Sequence, residues 1–495
     1  TTSVANSVII GRGAAQNGDI HTDANGVVAV GYKALEALTT GPQNVAIGAN
    51  AADALTEGGY NIVIGTDALA ADTKGSRSVA IGRRTLYAQN FTSATDAYNV
   101  GVGFEAGNDI STGQYNTLIG GLTGDQVTDG HSNTALGYNA LGAMEQGFQN
   151  VAIGVSAMGL SSAAIDNAVC IGFEAGKGAN HANSDGLVAI GYQAGLVADA
   201  TAGSVFIGYK AGTDVVGGSN NTAVGSLAFS GALGTTADDS TDNTFIGYGA
   251  GSGGWADAVS NHNVAVGSAA MDSALDGASQ NTCVGFHSGG GMVEGDTNTF
   301  IGFRAGEANT SGYQNVYIGA NSAGSIITAV NQVAIGVGAA GQGNNSAVFG
   351  NTSVSATHVQ VDWTVDSDRR IKKDIEDSDV GLSFINALQT RKFRKKHPSE
   401  WDSDILDERY KKGGGNYDDE KDEIIRDEFD DEKVWNGLIA QEVKEVMDSS
   451  GEYFSGWSEN HKGKQGIQYS TMVIPLVKAV QELSAELEDL KKKVG

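Results

Sequence analysis

A chain of 495 residues with 71 glycines, 3 prolines and a formal charge of −27 excludes several classes at once. Collagen needs abundant proline on a three-residue period, and a nucleic-acid groove needs a basic footprint. Two cysteines, Cys170 and Cys283, are too few for a disulfide framework and read as small buried apolar side chains. No apolar run approaches the ~18 residues of a membrane span. No signal-peptide pattern opens the chain, although Thr1 can follow a removed segment.

The first 350 residues repeat one phrase. It reads NVAIG at 44–48, NIVIG at 61–65, NTLIG at 116–120 and NTFIG at 243–247. The step from one phrase glycine to the next is most often 17 residues, as from Gly31 to Gly48 to Gly65 to Gly82. A fixed short period predicts a stacked solenoid. Side chains alternate along a strand, so Val45 and Ile47 share one face and Ala46 takes the other. Ala46 is assigned to the outward face, where small residues let other chains pack close. A 17-residue coil has room for two short strands and their turns, which is a β-roll. The asparagine that starts the phrase suits left-handed backbone and laddering with its copies, and the glycine that ends it suits a sharp corner. In nine coils an aromatic follows that glycine: Tyr32, Phe104, Tyr138, Phe173, Tyr192, Tyr209, Tyr248, Phe286 and Phe303. These rings form either a cross-coil ladder or a sugar-stacking stripe, and the ladder is favoured. Long turns such as Thr235 to Asn243 carry oxygens that suit calcium but lack calcium-loop spacing. The eight histidines are scattered without metal-ligand spacing. No cofactor or metal is therefore expected. The repeats resemble the head repeats of trimeric autotransporter adhesins and the shafts of phage fibres. With the thin core of a single roll, this implies a homotrimer.

Residues 351–366 read as a neck with apolar residues at Val354, Val359, Val361, Trp363 and Val365. Composition then changes: residues 367–495 hold 29 of the 58 acids and 22 of the 31 bases. The stretch from Ser378 to Lys396 predicts a helix capped by Ser378 or Asp379, then a strand. Val434 to Met447 predicts a strand running into an amphipathic helix. Residues 397–433 read as an exposed acidic insertion. The end, 470–495, places Val473, Leu476, Val480, Leu483, Leu487, Leu490 and Val494 at alternating steps of 3 and 4. That is a heptad seam and predicts a trimeric coiled coil. The fold class is thus mostly β: a trimeric β-roll or β-helix solenoid, then a small α+β domain ending in the coiled coil.

Within this part SDRRIKKDI (367–375), GLIAQEV (437–443) and a segment containing Tyr469 with VKAVQEL (477–483) follow one another. In that order they resemble the intramolecular chaperone domain of phage tail spikes and fibres, the endosialidase-type serine-lysine self-processing family. The resemblance implies that three chains register through this domain, which then cuts itself off at Asp366–Ser367. Ser367 would be the nucleophile and Lys372 its base. A lysine activates a hydroxyl only if burial or nearby cations lower its pKa. Arg369, Arg370 and Lys373 either supply that surrounding or bind carboxylates.

The expected organisation is a shaft (1–350), a neck (351–366) and a chaperone domain (367–495). The expected function is a trimeric fibre or appendage of a phage virion that attaches to a host. Its only chemistry would be single-turnover self-cleavage. Other virion tail proteins and a host-surface glycan or protein are the expected partners, without nucleic acid or membrane insertion. The protein would be made in the host cytoplasm and act in the extracellular virion. A polysaccharide-degrading spike and a bacterial trimeric adhesin remain as alternatives. The first needs a carboxylate pair that spacing does not single out, and the second lacks a C-terminal barrel anchor.

Overall fold

The computed structural model describes the chain apart from residues 1–4, 17–19, 180–183, 232–238, 257, 352, 355–366, 407–409, 413–416, 419–420, 422, 425–432 and 460–462. It divides into two compact units, Thr1–Asn315 and Val316–Gly495. The chain is mostly β, a solenoid of ~17-residue repeats followed by a small helix-containing domain.

In the first unit, seventeen three-residue strands from Val8–Ile10 to Thr299–Ile301 stack in parallel, one per coil. Each pairs in register with its copy in the next coil, as Val45, Ala46 and Ile47 pair with Ile62, Val63 and Ile64. The second unit opens with three more such strands, Val316–Ile318, Val333–Ile335 and Ala347–Phe349.

Two expectations about the coil are corrected. The central residue of each strand points inward, not outward: Ala46 is fully buried while Ile47 is 38 % exposed. A three-residue strand turned this way sends one side chain into the narrow interior and its two neighbours outward, whatever the size of the central residue. Nor does each coil hold two strands. Opposite the strand the backbone alternates through positive φ, as at Lys33 (57°) and Leu35 (54°), which no extended strand allows. Coil-to-coil hydrogen bonds persist there, from Lys33 N to Arg12 O (3.0 Å) and from Leu35 N to Ala51 O (3.0 Å). Among the described residues a second-side ladder forms only between Gly75–Ser76 and Thr95–Asp96.

Packing inside the coil follows a volume rule. In most coils the strand's central residue and the residue six positions later are inversely sized, although Ala46 and Ala52, like Gly101 and Gly107, are both small, and Val63 and Leu69 are both large. Ala29 meets Leu35, Ala152 meets Met158 and Ala223 meets Phe229, all fully buried. Where Phe206, Phe245 and Phe300 fill the strand, Gly212, Gly251 and Gly306 stand opposite, and a Cβ at any of the three would overlap the phenyl ring. Cys170 and Cys283 are buried free thiols at strand centres with Gly176 and Gly289 opposite.

The asparagine ladder forms, and it is buried. Asn61 donates from its backbone N (2.9 Å) and its Nδ2 (3.1 Å) to Asn44 Oδ1, and again from Nδ2 to Gly75 O (3.0 Å). The pattern recurs through Asn99, Asn116, Asn133 and Asn150 and again from Asn221 to Asn315. Left-handed backbone falls on the residue before the asparagine, as at Gln43 (53°) and Tyr60 (63°), not on the asparagine itself. The coil starting at Ser78 lacks the asparagine. There Gln89 reaches in, donating to Asp72 Oδ2 (2.6 Å) and Ser78 Oγ (3.2 Å) and accepting from Asn99 Nδ2 (2.9 Å). The closing glycine is required: Gly48 sits at φ 141°, and a Cβ there would overlap the carbonyl oxygen of Gly65.

Beyond the solenoid, helix α1 (Leu382–Ala387) precedes strand Arg391–Arg394, which pairs antiparallel with Val434–Gly437. Helix α2 (Ala440–Ser450) ends at Gly451, whose left-handed backbone (φ 75°) closes it. A hairpin of Trp457–Glu459 with Gln465–Ile467 and a 3-10 turn at Tyr469–Met472 lead into helix α3 (Val473–Val494). Val380, Phe384, Val443, Met447, Phe454 and Met472 form the core of this part.

Candidate functional site

The stretch from Ser367 to Lys372 is built by a short local turn. Asp368 caps it: its Oδ1 accepts from Arg370 N (2.8 Å), and Ile371 N donates to Asp368 O (3.2 Å). One 3-10 turn, Arg369–Ile371, follows, and Lys372 N donates to Arg369 O (3.2 Å). Lys372 itself is extended. The turn returns its side chain to the start, so that Lys372 Nζ donates to Ser367 Oγ at 2.7 Å. The two residues singled out by sequence are therefore in hydrogen-bond contact. Both are exposed in the single chain, as are Arg369 and Lys373.

Arg370 binds a carboxylate. Its Nε lies 3.0 Å from both oxygens of Asp368. This guanidinium holds the Asp368 carboxyl below the usual aspartate range, through the side-chain hydrogen bond first and the backbone one second. Asp366 and the neck residues Val359, Val361, Trp363 and Val365 lie outside the described residues.

The helix that follows is not capped by Ser378 or Asp379, which corrects the sequence reading. Ser378 Oγ accepts from Val380 N (3.3 Å), before the helix begins. The first helical N–H, on Leu382, is satisfied by Glu482 Oε2 of α3 at 2.6 Å, a hundred residues away. A second long-range contact holds the strand before α2: Leu438 N donates to the Tyr469 hydroxyl at 2.7 Å. Arg391 Nε adds a forked contact to Glu442, 3.0 Å to each oxygen. No local sequence signal announces the Glu482 contact. Tyr469 stood out in the sequence only as part of a motif.

The heptad positions of α3 are open. Only Pro475 and Ala479 are buried, where α3 packs against α1. Val473, Leu476, Val480, Leu483, Leu487, Leu490 and Val494 are 47–82 % exposed.

On the solenoid the aromatic ladder forms in two runs that take in five of the nine rings, while Tyr32 and Phe104 meet the cations Lys33 and Arg83 instead. Phe173, Tyr192 and Tyr209 stack at 5.3 Å between successive centroids, and Phe286 stacks on Phe303 at 5.4 Å. The rings cover one another's faces and stay about half exposed. A sugar needs an open ring face, so stacking ligands are disfavoured along each run. His287 lies 3.6 Å from Asp272 and 3.4 Å from Glu307 in neighbouring coils. Among the described residues no group of three or more His, Cys, Asp or Glu is placed to hold a metal. No described helix is long and apolar enough to cross a membrane.

Residues 367–452 match the protein-family model described as chaperone of endosialidase. No curated protein matches the chain. This match behind a β-solenoid of ~17-residue repeats fits an endosialidase-type phage fibre.

Proposed function

We infer that the chain is a structural fibre or appendage protein of a phage virion. Its shaft (1–350) projects the particle's contact surface toward a host, and its domain from 367 to 495 aligns three copies during folding. The observation that carries the reading is the α3 seam. Seven apolar side chains at heptad spacing stand exposed in the single chain, an arrangement that water disfavours and that copies of the same helix satisfy. Valine at three of four a positions with leucine at d suits two strands on its own. The threefold state therefore rests on the family match. Sedimentation of the full-length Ser367→Ala chain, which keeps the domain attached, tests it: the mass of three 50.7-kDa chains is expected, and a monomer or dimer at micromolar concentration overturns it.

The domain's chemistry is a single self-cleavage at Asp366–Ser367. Neutral Lys372 accepts the Ser367 hydroxyl proton while Oγ attacks the Asp366 carbonyl carbon. The C–N bond breaks, the Ser367 nitrogen takes a proton to become a free amine, and Asp366 is left as an ester on Oγ. Water then hydrolyses that ester, giving the Asp366 carboxylate and restoring the hydroxyl. In the single chain the pair is solvated; assembly would supply the dry surroundings that a lysine base needs. Intact-mass spectra of wild type, Ser367→Ala and Lys372→Ala test this. Two fragments in wild type alone are expected, and one whole chain in every trimeric sample refutes cleavage.

A further inference from the structure

We propose that Asp368 is the positioning residue of the Ser367–Lys372 pair, fixing the turn that brings the amine to the hydroxyl. This rests on the self-cleavage reading for its consequence but not for its geometry. A serine and a lysine five positions apart do not meet in extended chain, where five residues span roughly 17 Å. They meet here because one 3-10 turn shortens the path. That turn has a single side-chain cap, the Asp368 carboxylate on Arg370 N. No residue from Arg369 to Ile371 is buried, so core packing does not impose the turn. The cap and the two backbone bonds carry it.

The fork to Arg370 adds a second constraint. With Nε shared between both carboxylate oxygens, the Asp368 side chain is biased toward Arg370 and away from Lys372, which leaves Nζ to Ser367. One residue thus closes the turn and, held by Arg370, leaves the lysine to the serine.

The cap function separates Asp368 from a residue that merely stabilises the fold. Asparagine also accepts from a backbone N–H in this position, and alanine does not. In full-length protein, Asp368→Ala is expected to slow self-cleavage about ten- to hundredfold, the scale of a catalytic group displaced by about an ångström. Asp368→Asn should restore most of the rate, with sedimentation showing the same assembly for both. Alanine and wild-type rates that agree, or asparagine as slow as alanine, overturn the proposal.

A second readout does not need cleavage. In a Ser367→Cys chain the neighbouring ammonium should hold the thiol more ionised and speed its alkylation by iodoacetamide. The native Cys170 and Cys283 are buried and should stay silent. Adding Lys372→Ala or Asp368→Ala should slow alkylation equally, and adding Asp368→Asn should not. Unchanged alkylation in the Asp368→Ala chain refutes the positioning role. The expected alkylation pattern in a protein that never cleaves refutes the self-processing reading and leaves the positioning role standing.

Discussion

Replacing Asn281 by alanine tests the buried ladder at its most regular stretch. The side chain makes four hydrogen bonds. Its Nδ2 donates to Asn263 Oδ1 (3.0 Å) and Gly295 O (2.6 Å), and its Oδ1 accepts from Asn298 N (2.9 Å) and Asn298 Nδ2 (3.0 Å). All are fully buried, so no water replaces them. Each bond contributes about 0.5–1 kcal/mol net, and the orphaned Asn298 N–H adds about 1 kcal/mol, giving about 3–5 kcal/mol locally. In a solenoid the loss stays near the altered coil and its neighbours. Hydrogen exchange followed by mass spectrometry on peptides spanning 264–300 is the assay. Exchange should accelerate by about two to three orders of magnitude, at 1.4 kcal/mol per decade. Asn281→Asp sharpens the test, because a carboxylate there would face the Gly295 and Asn263 oxygens. Its folded-state pKa would be raised above the ~3.9 of an unfolded aspartate. The penalty should be smallest below about pH 4, where the protonated carboxyl supplies one of the two lost donors, and grow as pH rises. Exchange unchanged by the alanine would mean that the strands alone hold the coils, and the energetic argument would fail.

Three further outcomes follow from the same structure. Gly212→Leu should unfold its coil against the Phe206 ring, whereas Gly212→Leu with Phe206→Ala recreates the Ala29–Leu35 arrangement and should recover most of the stability; a thermal-melt double-mutant cycle that is additive refutes the volume rule. Burial, with Asp109 and Glu105 nearby, pushes the Asp125 carboxyl up to about 6, so the fold prefers it protonated and loses stability as pH rises from about 4 through 6. Asp125→Asn should flatten the melting temperature across that window. Burial pushes the Cys170 thiol up to about 12 and raises Cys283 as well, so iodoacetamide at pH 8 should label neither until the protein is denatured, as intact mass will show.

The solenoid and the asparagine ladder were legible from the repeat because both depend on one residue type recurring at one position. The phase of the strand was not. Valine, alanine and isoleucine are all apolar, so a period of two cannot say which side faces in. A usable signal lay elsewhere: the inverse volumes at spacing six, as in Ala223 with Phe229 and Phe206 with Gly212, show which strand residue meets the coil interior. The Ser367–Lys372 pair came from the resemblance of its motif and not from local signals; the two side chains meet because a short turn capped by Asp368 lies between them. The α1 cap was not legible, since Glu482 arrives from a hundred residues away and Ser378 offered a plausible local substitute.

That volume rule also bears on why such a chain would carry a register-setting domain. Large and small residues are matched within a coil, so the core distinguishes coils only to themselves. The outward residues are β-branched and similar in shape in most coils: Val28 and Val30, Val45 and Ile47, Ile62 and Ile64, Val79 and Ile81, with threonine at the first position in others such as Thr117 and Thr222. Two copies meeting along that face could slide by one coil and find almost the same contacts. Information about register must then come from a segment that does not repeat at 17 residues. The heptad seam of α3 is such a segment, because a slip there of 3 or 4 residues sets valine layers against leucine layers and one of seven strips a whole heptad of a three-heptad seam. A short helix whose period differs from that of the coils can therefore specify what a long 17-residue repeat cannot. Once register is set, the shaft would no longer need the helix, and the proposed self-cleavage at the border would then have a physical use: it would remove the route back and leave the assembled form kinetically trapped.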